Sequence, residues 1–139
     1  MAGDLDVWGH WYTPDGASII TIEDCGDGTP CGRVAWVDAE QGGMTEDVHN
    51  HDKDLRGRAM LGITLLSGFE ERRDRWRRGS IYNPKDGRTY RARLRLLSQN
   101  VLGVSGCLGP VCKELTWERA PESQAAGTAP AREAQLASR

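Results

Sequence analysis

The chain has 139 residues and a formal net charge of −2. That length fits one domain, and so small a charge excludes a global field that would recruit nucleic acid or an anionic membrane. No run approaches the roughly 18 apolar residues of a membrane-spanning helix, and Met1-Ala2-Gly3-Asp4 has neither the basic nor the apolar region of a secretory leader.

Short strand-like runs separated by turn residues fill most of the chain. In order they are Val7–Thr13, Ala17–Asp24, Cys31–Asp38, Met60–Glu70, Asp74–Pro84, Arg88–Leu97, Val101–Gly109 and Cys112–Arg119. Asp15-Gly16 and Asp86-Gly87 are hairpin turn pairs. Between Thr89 and Leu96 the alternation is clean: Tyr90, Ala92, Leu94 and Leu96 share one face, and Arg91, Arg93 and Arg95 the other. A period of two with arginine on one side means one buried face and one wet face. The expectation is an all-β, antiparallel up-and-down meander, closed as a barrel or split as a sandwich. Residues 1–6 read as an N-terminal extension and 7–119 as the β-domain. Residues 120–139, rich in Ala, Pro, Ser and Glu, read as a disordered or weakly helical tail, with the helix around Ala131–Leu136.

The four cysteines fall in two close pairs, Cys25 with Cys31 and Cys107 with Cys112. Zinc sites add a second knuckle or a histidine pair, and neither His49 nor His51 stands at finger spacing. Cys31 opens a strand-like run, whereas a redox C-x-x-C opens a helix. Two local disulfides are therefore expected, each closing a short loop and contributing about 2 kcal/mol. A cross-paired set, and free or metal-bound thiols, are the alternatives. Disulfides imply an oxidising compartment.

Gly9-His10-Trp11 in the first strand and Arg119 at the end of the last resemble the closure of the lipocalin-like (calycin) barrels. There a basic residue of the final strand lies across the tryptophan of a G-x-W motif. The resemblance implies an eight-stranded lipocalin-like β-barrel, closed at one end by Gly9, Trp11 and Arg119, with the cation over the indole worth ~1–2 kcal/mol. From Gly9 to Arg119 the stretches "GHWYTPDG", "CGDGTPCGRVAW", "LRGRAMLGITLLSGF", "WRRGSIYNPKDGRTYRARLRL", "LGVSGCLG" and "TWER" are similar to one family. It comprises small, mostly exported bacterial proteins catalogued as domain of unknown function 2147. That likeness implies the barrel and a periplasmic or secreted location, and brings no activity with it.

A long polar connection, Asp38–Arg58, separates the third and fourth strands. His49 and His51 with Asp47 and Asp52 are candidate ligands for a divalent metal, set against a solvated loop held to the barrel by Asn50, Leu55, Arg56 and Arg58. "EERRDRWRR" (Glu70–Arg78) could grip single-stranded nucleic acid, but its interleaved acids favour a turn with arginine stems packed over Trp76. The barrel interior is the preferred site, because eight strands enclose either a filled core or room for one small ligand. Trp36, Ile63, Leu65, Ile81, Tyr90, Leu94 and Val104 are its expected inward residues, with glycines 62, 79, 103 and 106 thinning or bending the wall. No G-x-S-x-G, H-E-x-x-H or P-loop occurs, so the chain reads as a binding protein and not an enzyme, with no cofactor and no nucleic-acid partner. The expected function is binding of a small apolar or amphipathic ligand in the lumen. The alternatives are a filled barrel serving as a protein-interaction or envelope-associated module, and metal binding through the histidine loop.

Overall fold

The computed structural model describes residues 4–125. The tail segment around Ala131–Leu136 lies outside them. Among the described residues nine strands form: β1 Gly9–Tyr12, β2 Ser18–Asp24, β3 Pro30–Val37, β4 Thr64–Ser67, β5 Glu70–Glu71, β6 Trp76–Asn83, β7 Arg88–Ser98, β8 Val101–Leu108 and β9 Val111–Arg119. Each pairs antiparallel with its chain neighbour, β9 returns to β1, and β4 pairs with β6. The short β5 pairs with the same strand β6 (Glu70 with Arg77, Glu71 with Trp76), so β4 and β5 are one strand interrupted at Gly68-Phe69. The result is a closed antiparallel barrel of eight strands, whose closure leaves the sheet without exposed edges over most of its circuit.

Both two-residue turn signals form tight turns, with Gly16 at φ 70° and Gly87 at φ 71°. The strand partners then fix which side chains enter the barrel. On β7 the alternation holds, and Ala92, Leu94 and Leu96 are buried while Arg91 and Arg95 are exposed. Elsewhere bulges shift the phase. On β6, Trp76 pairs with Leu94 and Gly79 with Ala92, so one residue is extra, and Arg78 takes a left-handed φ of 57°. That extra residue turns the Trp76 indole inward, where it donates to the Leu5 carbonyl at 2.9 Å and meets Trp8 edge-on at 6.1 Å. Trp76 is therefore a core residue.

The closed end is filled. Val7, Trp11, Leu94, Leu96, Leu102 and Trp117 belong to one buried cluster with Trp76. The N-terminal segment crosses beneath it, tied by Leu96 N–H to the Asp4 carbonyl at 2.8 Å. Arg119 Cζ lies 4.1 Å from the centre of the Trp11 ring, and its guanidinium donates to the carbonyls of Trp8 (3.1 Å) and Gln99 (3.0 Å). Gly9 sits at φ 119°, and a Cβ there would stand 2.6 Å from Arg119 Nη1. The glycine two residues before the tryptophan is thus required by its backbone, and a side chain there would also displace the guanidinium above it.

Both disulfides are local, Cys25–Cys31 in the β2–β3 connection and Cys107–Cys112 across the β8–β9 hairpin. Their loops close only 6 and 5 residues of separation. Replacing either pair by serines is expected to lower unfolding free energy by about 2 kcal/mol on the chain-entropy model. Denaturant titration checks this, and an unchanged midpoint in both double variants would count against that entropic contribution.

Candidate ligand cavity

Four connections surround the other end of the barrel: the β1–β2 turn, the long β3–β4 loop, the β6–β7 turn and the β8–β9 turn. They frame an open cavity of about 580 Å³, within the roughly 300–1,000 Å³ typical of ligand pockets. Its wall is apolar, formed by Ile20, Val34, Leu65, Ile81, Val104 and Trp117, and the loop adds Met44 and Met60. Leu65 enters through a second irregularity. Leu66 pairs with Gly32 and Thr64 with Arg33, which leaves Leu65 as an extra residue, so two successive leucines are buried.

Of the inward residues expected from the sequence, Leu65, Ile81, Tyr90 and Val104 line this cavity. Leu94 lies in the solid core beneath it, and Ile63 is half-buried, packed against that core, with its carbonyl accepting from Val34 N–H at 2.9 Å. Trp36 is a correction. Ile19 pairs with Trp36 but Ile20 with Val34, so Ala35 is a bulge residue and the phase of β3 flips. Trp36 therefore faces outward with Ile19 and Ala120, its ring 6.3 Å from Tyr12. A one-turn helix, α1 (Glu122–Ala125), packs beside β2 and β3 on the same side.

The long loop is built on a buried carboxylate. Asp47 is fully buried and accepts from Tyr82 Oη at 2.6 Å, Asn50 Nδ2 at 2.7 Å and Arg58 Nε at 2.9 Å. Burial alone would raise its pKa. The three hydrogen bonds and the Arg58 charge outweigh that, and the carboxyl titrates below its ordinary value. Burial and the bond to Asp47 push the Tyr82 hydroxyl up to about 12. Arg56 fixes the Asn50 carbonyl at 2.7 Å, and a bridge between Glu46 and Ala59 closes the loop base. Leu55 is exposed and does not plug the barrel; Met60 is the buried apolar anchor. The loop rests on the β6–β7 turn so closely that a Cβ at Gly87 would stand 1.9 Å from the His49 carbonyl oxygen.

This arrangement also corrects the metal candidates. His49 and His51 are exposed, Asp47 is committed to Tyr82, Asn50 and Arg58, and Asp52 caps the Asp54 N–H at 3.0 Å. Among the described residues no three His, Cys, Asp or Glu side chains converge. At the mouth, Asp15 accepts from Thr13 Oγ1 (2.8 Å) and Ala17 N–H (3.0 Å) and faces Lys85 Nζ at 3.5 Å. The Tyr90 hydroxyl donates to Asp86. Sequence reasoning missed Lys113, which lines the cavity opposite Gly106. Its phase was a usable signal: Lys113 alternates in step with Leu115 and Trp117, the inward side of β9.

An eight-stranded barrel sealed at one end by tryptophan under arginine, and open at the other onto an apolar cavity, has the lipocalin architecture. Residues 9–119 match the family described as "Uncharacterized protein conserved in bacteria (DUF2147)", and the chain belongs to that family. Among solved structures it is similar to HP1028 of the human pathogen Helicobacter pylori, described as belonging to the lipocalin family. That likeness has a TM-score of 0.69 at 22% identity, covering 87% of this chain and 86% of the other. No curated protein sequence matches this chain. Among the described residues no helix is long and apolar enough to cross a membrane.

Proposed function

We propose that the protein is a carrier that holds one small apolar or amphipathic molecule in the open half of its barrel. The observation that carries this reading is the cavity of about 580 Å³ with aliphatic and aromatic walls, because a barrel of this size that served only as a scaffold would fill its lumen with its own side chains. The two disulfides support an exported, oxidising setting for it. The reading is of binding rather than catalysis, since among the described residues most polar groups at the mouth are engaged with one another and none is paired as nucleophile and base.

Gly106 gives a direct test. It lines the cavity, and a Cβ there would meet only Ile81 Cγ2, at 3.9 Å, an ordinary contact. Gly106→Phe therefore fills the lumen with little disturbance to the wall. Retinol titrated against wild type should quench tryptophan fluorescence saturably, and Gly106→Phe should raise Kd at least about tenfold, a loss of ~1.4 kcal/mol. Equal binding by folded variant and wild type would place the ligand elsewhere.

A further inference from the structure

We propose that the carrier prefers single-chain amphiphiles with an anionic head, and that Lys113 pairs with that head at the mouth of the cavity. This rests on the lumen being the binding site. The other charged groups and the two phenols at the mouth are already engaged. Asp15 is held by Thr13, Ala17 and Lys85, the Tyr82 hydroxyl by Asp47, and the Tyr90 hydroxyl by Asp86. Lys113 is the exception: among the described residues no carboxylate lies within ion-pair distance of it. Its chain neighbour Glu114 is on the opposite face of β9 and is engaged by Arg95 at 3.0 Å.

The surroundings of Lys113 are those of a head-group site. Across the strand its partner is Gly106, which has no side chain to occupy the space in front of it. On the same face of the hairpin stand Leu108, Val111 and Leu115, which are 71%, 71% and 43% exposed. All three line the cavity. These are apolar surfaces that water now covers and an alkyl chain would shield. A cation beside an apolar lip matches an amphiphile at the junction of head and chain, and the chain would run inward along Val104 and Ile81 toward Trp117.

The topology also lets such a head remain wet. β9 pairs with β1 only through Trp11–Arg119 and Tyr12–Glu118, so among the described residues no strand flanks the edge from Val111 to Thr116 on that side. The mouth therefore extends as a side slot down to the level of Lys113. A charge there keeps part of its hydration, and an ion pair forms without the full cost of burial. Lys85 does not compete for this role, because it faces Asp15.

Dodecanoate and dodecan-1-ol share a chain and differ in head charge, so their ratio of affinities reads the head-group site. Each is titrated below its self-association concentration at pH 8 and low salt, with tryptophan fluorescence as the signal. Wild type is expected to bind dodecanoate about fivefold more tightly than dodecan-1-ol, with the ratio shrinking as salt is raised. Lys113→Met should bring the ratio to about one, and Lys113→Arg should keep it, with thermal melting confirming that both variants fold. A ratio near one in wild type, or a preference that survives Lys113→Met, overturns the head-group assignment while leaving the carrier reading intact. Failure of both compounds to bind wild type overturns the carrier reading and this inference together.

Discussion

Trp11→Ala is expected to cost about 4 kcal/mol of stability, in the range of roughly 3–5 kcal/mol for removing a buried tryptophan. Three contributions add at this position. Trp11 is fully buried in the main cluster, so truncation leaves a cavity where strands β1, β2 and β9 meet. The indole N–H donates to the Val7 carbonyl at 3.0 Å, and that carbonyl would lose its partner. The Arg119 guanidinium, 4.1 Å above the ring, would lose its face contact. Against a total of about 5–15 kcal/mol for an ordinary domain, this leaves a barely folded barrel. Arg119→Ala removes the cation but keeps the buried ring, and should cost less than half as much. Urea titration of the two variants tests the order: a Trp11→Ala loss below about 1 kcal/mol would mean that closure rests on other contacts.

The same closure shows why part of the fold was legible in the sequence. Gly9, Trp11 and Arg119 are single residues whose identities carry their roles, and the β7 alternation survives because that strand runs regularly from Arg88 to Leu96. Trp36 was misread, and the inward side of Trp76 was not legible, for one shared reason. Each lies beside a bulge, and a bulge is set by the pairing of distant strands, here β2 with β3 and β6 with β7. One inserted residue exchanges inside for outside, and nothing in the local sequence marks where it falls. The interior lining mixed both situations: Tyr90 and Val104 sit in regular stretches, whereas Leu65 reaches the cavity only through its own bulge. The long loop hid its organisation for a different reason. Asp47 is one of several acids in a polar stretch, and the partner that singles it out, Tyr82, is 35 residues away.

Asp47→Ala should therefore be the most damaging change in the loop, costing about 3 kcal/mol, since removing one member of a buried hydrogen-bonded charge cluster strands the rest. Tyr82, Asn50 and Arg58 would all lose their acceptor at once. The pH dependence provides a second, independent signature. Asp47 has a depressed pKa in the folded state, so its contribution is complete above the unfolded value near 3.9 and is lost as pH falls through the lower folded value. Tyr82 is shifted the other way, from 10.0 to about 12. Its contribution is complete below pH 10 and is lost as pH rises from there toward 12. Denaturation measured across pH should show wild type weakening at both extremes. Asp47→Ala should flatten the acid limb and reduce the alkaline one, and Tyr82→Phe should remove the alkaline component of this pair. Met44 and Met60, which the loop places against the cavity, would lose their support in Asp47→Ala, so weaker retinol binding should accompany the loss of stability. A variant that keeps wild-type stability across the whole pH range would show that the carboxylate does not hold the loop to the barrel.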